Sequence, residues 1–226
     1  MKLLWLTLGF LFTSTILHAN DSWEIHKQKA LSYQSQIPGW CSLEKAEKMM
    51  NLIYNSHPKI CVEIGVFGGS SISPTAQALK YLNQGVVFAI DPWTNQDCTE
   101  GYSSEDANYK WWNSIDMENI LSQFKLMLSS HGLTPYCKIL RTTSELAITT
   151  FENDSIDILH VDGNHSEESA LRDVMLYFPK VKKNGYIWFD DVNWSSTNKA
   201  VQYLKEHCTL NLDYSIGNSC YLFQKQ

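Results

Sequence analysis

The stretch VEIGVFGGSS, residues 62–71, decides how this chain folds. Its apolar half reads as a strand, which runs into a turn carrying Gly65, Gly68 and Gly69, with Glu63 just ahead of the first glycine. Glycine has no Cβ, so such a turn lets backbone amides approach a ligand closely. The residues that follow, SISPTAQALKYL, read as a helix whose free N-terminal amides point to the same place. Strand, glycine turn and helix in this order form a cradle for a nucleotide-like ligand, or else simply close a strand-to-helix corner. The spacing is GxxGG, whereas the dinucleotide fingerprint requires GxGxxG, so a nicotinamide oxidoreductase ranks last.

Outward from this turn, short apolar runs alternate with helical patterns. Strands are predicted at 59–64, 86–90, 137–140, 156–161 and 185–189, and an antiparallel pair near 210–216 and 219–224. Helices are predicted near 71–82, 117–131, 144–150, 166–178 and 197–206. A further helix over 43–55 carries Ala46, Met49, Met50 and Ile53 at helical spacing, and the helix after His165 shows a stripe of Leu171, Val174, Met175 and Phe178. Five strands separated by helices imply parallel pairing with right-handed crossovers, and ligands of such sheets gather at the carboxyl ends of the strands. The predicted fold is therefore α/β, a Rossmann-like doubly wound sheet of seven strands, mostly parallel with an antiparallel end. The polar residues just past the strands, Glu63 and Gly65, Asp91, Thr142 to Ser144, Asp162 to His165, and Asp190 to Asn193, should share one rim.

Asp91 ends the run VVFAI, about 25 residues beyond the glycine turn, where a carboxylate can accept hydrogen bonds from two ribose hydroxyls; the alternative is a turn aspartate ahead of Pro92. VDGNH places Asp162, Asn164 and His165 at one strand end, and YIWFDD places Asp190 and Asp191 at the next. Neighbouring strands lie about 4.8 Å apart, so three carboxylates meeting there repel one another unless a cation or shared protons relieve the charge. Hard oxygen ligands suit Mg²⁺ or Mn²⁺, and a hydroxyl bound to such an ion is easier to deprotonate. The competing reading makes Asp162 and Asp191 solvated turn or cap residues. His165 is either a general base, since its reference pKa near 6.5 suits proton removal around neutrality, or a helix-start residue with a structural hydrogen bond.

The glycine turn, the acid after the second strand, VDGNH after the fourth and the GYIWFDD strand together resemble a class I S-adenosylmethionine-dependent methyltransferase. The subgroup is similar to the metal-dependent sugar and macrolide O-methyltransferases and cephalosporin-hydroxylase-like proteins, over about residues 58–192, and the terminal hairpin matches the reversed last strand of that fold. The resemblance implies that Glu63, Gly65, Gly68 and Ser70 hold the methionine end of the donor, Asp91 its ribose and Ser144 its adenine. It implies that Asp162, Asp190 and Asp191 hold the metal. Relatives often carry a second aspartate, a proposed base, where this chain has Asn164. Asparagine cannot take a proton, so either His165 has that role or catalysis rests on metal polarisation and proximity, with Asp162 at the centre.

The segment DPWTNQDCTEGYSSEDANYKWWNS, from 91 to 114, is a long insertion over the strand ends, where a lid would sit. Tyr102, Tyr109, Trp111 and Trp112 stack on a sugar or aromatic acceptor, or cover the core. Length and composition fit one buried domain, organised as a leader at 1–19, a helical segment at 20–57 and the catalytic domain at 58–226. The net charge of -6 argues against a nucleic-acid partner and leaves a small molecule or glycan as acceptor. Lys2, the apolar run Leu3 to Leu17 and Ala19 read as an export signal, with an uncleaved membrane anchor or a cytoplasmic protein as alternatives. Six cysteines are compatible with three disulfides after export, Cys208 to Cys220 being the first choice, while Cys61 and Cys137 fall at strand positions and pack as small apolar groups. Sequons start at Asn153, Asn164 and Asn193, the last two inside the candidate site. The expectation is an O-methyltransferase using S-adenosylmethionine and a divalent cation. The alternative is an exported, non-catalytic binding protein on the same fold.

Overall fold

A computed structural model describes residues 22–226, so the leader expected at 1–19 lies outside the described residues. The chain runs α1 (Trp23–Leu31), α2 (Leu43–Ser56), β1 (Ile60–Ile64), α3 (Ile72–Leu82), β2 (Val86–Ile90), α4 (Asn95–Cys98), α5 (Ala107–Asn113) and α6 (Met117–Ser130). It continues with β3 (Cys137–Leu140), α7 (Ser144–Ala147), β4 (Ile156–Val161), α8 (Glu167–Tyr177), β5 (Val181–Asp190), α9 (Asn198–His207), β6 (Cys208–Ile216) and β7 (Cys220–Lys225). The strands form one seven-stranded sheet in the order β3-β2-β1-β4-β5-β7-β6. β1 pairs in parallel with β2 on one side and β4 on the other, and only the β7 and β6 pairings are antiparallel. Strand order therefore reverses at β1, the switch point where a ligand crevice opens.

The pleat sorts each central strand onto two cores. Cys61, Ile158 and Trp188 face one apolar cluster, filled by α1, α2, α3 and α6, while Val62, Ile64, Leu159, Ile187 and Phe189 face the other, filled by α8 and α9. α2 starts on the cap of Ser42, whose hydroxyl accepts from the Lys45 amide, and buries Ala46, Met49, Met50 and Ile53 as its spacing predicts. α8 departs from expectation. Its buried stripe is Ala170, Asp173, Val174 and Tyr177, while Met175 faces solvent. The helix is thus turned by about one residue, because a polar group, Asp173, is drawn inward toward the crevice.

All six cysteines are unpaired. Cys208 pairs with Lys225 in the hairpin register and Cys220 pairs with Ile216, which puts them at opposite ends of the ladder. Five residues of strand span roughly 17 Å, far beyond the Cα separation of about 4.4–6.8 Å that a disulfide needs. The expected bridge is excluded. Cys61 and Cys137 are buried as expected. Among the described residues no helix is long and apolar enough to cross a membrane.

Candidate active site

A cavity of about 560 Å³ opens along the carboxyl ends of the strands. Gly65, Ser70, Asp91, Ser144, Asp162, His165, Asp190 and Asp191 all line it, so the rim anticipated from the strand order exists. Glu63 and Gly68 do not line it. Gly65 is held at φ +81°, and a Cβ there would stand 2.0 Å from the Asp162 carbonyl oxygen, so glycine is required by the close approach of β1 to the β4 loop. Gly68 instead fits against Pro38, whose carbonyl oxygen would lie 2.5 Å from an added Cβ.

Asp91 organises the turn. Its Oδ2 accepts from the amides of Val66 and Phe67, both at 2.9 Å, and its Oδ1 accepts from the Trp93 amide at 2.7 Å. Burial pushes this carboxyl up, and the three amides oppose that shift. With two lone pairs per oxygen, only Oδ1 keeps one free for a ribose hydroxyl, so the two-oxygen grip expected from the sequence is narrowed to one. Phe67 takes φ +50°, a strained value for a residue with a Cβ, and its ring joins Trp40, Trp111 and Trp112 in a cluster beside the turn.

Glu63 is buried among protein partners. The β1–β4 register places it directly beside His160, and it is 1% exposed. Its Oε2 lies 3.0 Å from His160 Nδ1, and its Oε1 accepts from the Ser71 hydroxyl at 2.6 Å. Ser71, at the start of α3, therefore spends its hydroxyl on Glu63 and leaves the helix without a side-chain cap. Also lining the cavity, the Ser144 hydroxyl donates to Asp173, and burial pushes the Asp173 carboxyl up to about 6.

The acidic cluster is not the bare triad expected. Lys45, 4% exposed on α2, donates to Asp190 Oδ2 and stands 3.9 Å from Asp162 Oδ2. His160 Nε2 lies 2.6 Å from the same Asp190 oxygen. That oxygen has both lone pairs engaged, so Lys45 and His160 already supply positive charge to the carboxylates, and an ion would reach Asp190 only through Oδ1. Burial would raise the Asp190 carboxyl, but Lys45 and then His160 hold it well below the usual range. The Asp162 carboxyl goes the other way, to about 6, raised by burial and by Asp190. Burial and Lys45 depress His160, yet Glu63 and Asp190 outweigh them and lift it to about 9.

Two groups bring possible ligand atoms together, His160 with Asp162 and Asp190, and Asp162 with His165 and Asp191, so that Asp162 belongs to both. His165 Nε2 is 2.8 Å from Asp191 Oδ2 and 3.7 Å from Asp162 Oδ1. It lies off the line of a hydrogen bond, so this buried nitrogen has proximity to two carboxylates without a proper partner. Burial lowers the His165 pKa, but the two carboxylates dominate and carry it to about 10. Without a cation the two carboxylates favour the protonated ring, and a divalent ion bound there would take that proton's place. An orphaned imidazole nitrogen between two carboxylates is a donor set that fits a divalent cation.

Lys45, His160 and Asp173 were missed from the sequence. Lys45 and His160 had a signal: Lys45 precedes Met49 by four residues and so falls on the apolar stripe of its helix, and His160 interrupts the apolar run ILHV on a central strand. Asp173 had none.

Residues 62–192 match the methyltransferase domain family. The chain belongs to that family. Its seven-stranded sheet, with β7 antiparallel, has the class I methyltransferase arrangement. An uncharacterized protein of Acanthamoeba polyphaga mimivirus is 33% identical over 134 residues, 58% of this chain and 50% of that protein. Another, from Sinorhizobium fredii, is 24% identical over 143 residues, 63% of this chain and 14% of that protein. The chain thus matches half or less of the length of these relatives. Among solved structures, the O-methyltransferase NovP superposes with a TM-score of 0.67 at 16% identity, covering 90% of this chain and 98% of NovP. A Podospora anserina methyltransferase solved with S-adenosylhomocysteine bound gives 0.62 at 14% identity, covering 89% and 88%. A putative caffeoyl-CoA O-methyltransferase from Staphylococcus aureus gives 0.58 at 16%, covering 92% and 94%.

Proposed function

We propose that this methyltransferase moves a methyl group from S-adenosylmethionine to a hydroxyl of a small molecule or sugar, assisted by a divalent cation, Mg²⁺ or Mn²⁺. The observation that carries the reading is that the glycine turn with Asp91 and the group Asp162, His165 and Asp191 line one cavity. The names of the structural neighbours, O-methyltransferases among them, support the choice of oxygen as acceptor.

S-adenosylmethionine would supply a methyl carbon on a sulfonium centre: the acceptor oxygen bonds to that carbon as its bond to sulfur breaks, S-adenosylhomocysteine leaves, and the hydroxyl proton passes to solvent. The uncapped start of α3 offers backbone amides to the donor carboxylate. Oδ1 of Asp91 takes one ribose hydroxyl, and Ser144 and Asp173 line the same cavity for the base. Asp162, His165 and Asp191 would hold the cation, which lowers the pKa of a bound hydroxyl. Lys45 and His160 keep Asp190 neutralised behind them, so the cation meets two carboxylates, not three. The Trp194 ring, 5.1 Å from that of His165, walls the acceptor side. Holding oxygen and methyl carbon in line is the largest service such a site gives.

Calorimetric titration with S-adenosylhomocysteine and a methyl-transfer assay against sugar and phenolic hydroxyls, each with and without Mg²⁺, test the reading. Donor binding with transfer lost in chelator supports it; donor binding with full transfer in chelator removes the cation. Export by the N-terminal segment remains part of the proposal, tested by the location of the mature protein in cell fractions.

A further inference from the structure

We propose that Asn164 is a positioning residue that latches segment 95–116 over the donor cavity and so sets how fast donor and product exchange. The inference rests on the proposed donor site but is argued from different contacts. The Asn164 side-chain amide donates toward the carbonyls of Glu100 at 2.9 Å, Asp97 at 3.2 Å and Cys98 at 3.4 Å, two hydrogens shared among three acceptors at the end of α4. Its Oδ1 accepts from the Ser166 amide at 2.8 Å, which fixes which way the amide points.

The segment it grips is only partly buried from 95 to 116. Neither α4 nor α5 contributes a buried residue. Segments with few buried apolar contacts open at low cost. Besides Asn164, the ties are Cys98, Trp112 and Ile115, partly buried against the core, the Trp111 and Trp112 rings against Trp40 and Phe67, Tyr102 to the His165 backbone, and Arg172 to Glu100 at 3.2 Å. The approach is close: Gly101, at φ +79°, would bring a Cβ to 2.8 Å from Ser166 Cβ. Asp97, Cys98, Glu100 and Tyr102 of the same segment line the cavity together with Asp91 and Ser144, so opening the latch opens that cavity.

This accounts for asparagine at a position where the resemblance led us to expect an acid. A carboxylate of the same shape would face three carbonyl oxygens with no hydrogen to offer, and each contact would turn from attraction to repulsion. The residue has exchanged proton acceptance for donation.

The test uses N164D, which keeps shape and inverts hydrogen bonding, and N164A as a second variant. Amide hydrogen exchange is measured over residues 95–116 without ligand, together with the dissociation rate of S-adenosylhomocysteine and the kcat and KM for the donor. The latch predicts faster exchange confined to that segment in both variants. It also predicts product dissociation faster by roughly tenfold, the scale of one or two net hydrogen bonds, and a raised donor KM without a matching fall in kcat. Unchanged exchange in N164D overturns it, as does a gain of turnover in N164D with exchange unaltered, which would make 164 a base position. If wild type binds no S-adenosylhomocysteine, the donor-site reading fails, while the ligand-free exchange still decides whether the latch exists.

Discussion

Lys45 and Asp190 meet as a buried ion pair between the first turn of α2 and the last residue of β5, 145 positions apart in sequence. The pair sits where a bare carboxylate cluster had been expected, and it ties the helix that precedes the sheet to the rim on which the chemistry is proposed.

Removing the cation leaves Asp190 buried with one partner fewer. Lys45→Met is expected to destabilise the fold by about 3–5 kcal/mol, the usual cost of stranding a buried charge, and Lys45→Met with Asp190→Asn is expected to recover much of it. Urea unfolding of both variants measures the difference. Equal loss in the single and double variants would mean that the pair is not the source.

The cation is expected to choose the group containing the orphaned imidazole nitrogen. Mn²⁺ binding followed by electron paramagnetic resonance should weaken by roughly tenfold or more in His165→Ala and Asp191→Ala, since even outer-shell partners cost that much. His160→Gln, on the far side of Asp190, should bind nearly as wild type. The reverse ranking would restore Asp190 as a ligand.

The pH response of the metal-free protein follows from the raised pKa of His165, about 10. A histidine whose folded value lies above its unfolded value near 6.5 contributes stability that is fully present below the unfolded value and is lost as pH rises through the folded one. The stability gap between wild type and His165→Asn should therefore be largest near pH 6 and shrink toward pH 10. A gap that grows with pH contradicts the ion-paired imidazolium.

Much of this was legible in residues 58–192. The glycine turn and the strand-end carboxylates follow from local rules, periodicity and the position of polar residues after apolar runs, so the sheet and its rim could be drawn. Asp190 was placed correctly at that rim beside Asp162, but Lys45 was not foreseen as its partner, because that residue comes from α2 and no local pattern ties position 45 to position 190. The contact between Glu63 and His160 was missed for the same reason: only the β1–β4 register shows that they stand side by side. The α8 stripe was misread by about one position because Asp173 is drawn inward by Ser144, a contact between distant segments. The hairpin was found and its cysteine pair was not, since proximity in sequence says nothing of register.

Gly65→Ala tests the geometry of the turn. The left-handed backbone costs about 1–3 kcal/mol for a residue with a Cβ, and the overlap with the Asp162 carbonyl adds to it. Thermal unfolding should show a lowered midpoint, and donor binding should weaken in the folded fraction. An unchanged midpoint would mean that β1 and the β4 loop are farther apart than described.

The central claim is that the strand-end cavity holds the methyl donor against the Asp91 turn. Titration of the purified protein with S-adenosylhomocysteine, followed by heat, tests it most directly. The account predicts one site of micromolar affinity, weakened in Asp91→Asn, whose side-chain amide offers one oxygen where the turn uses two. A folded wild-type protein that takes up no S-adenosylhomocysteine would contradict it.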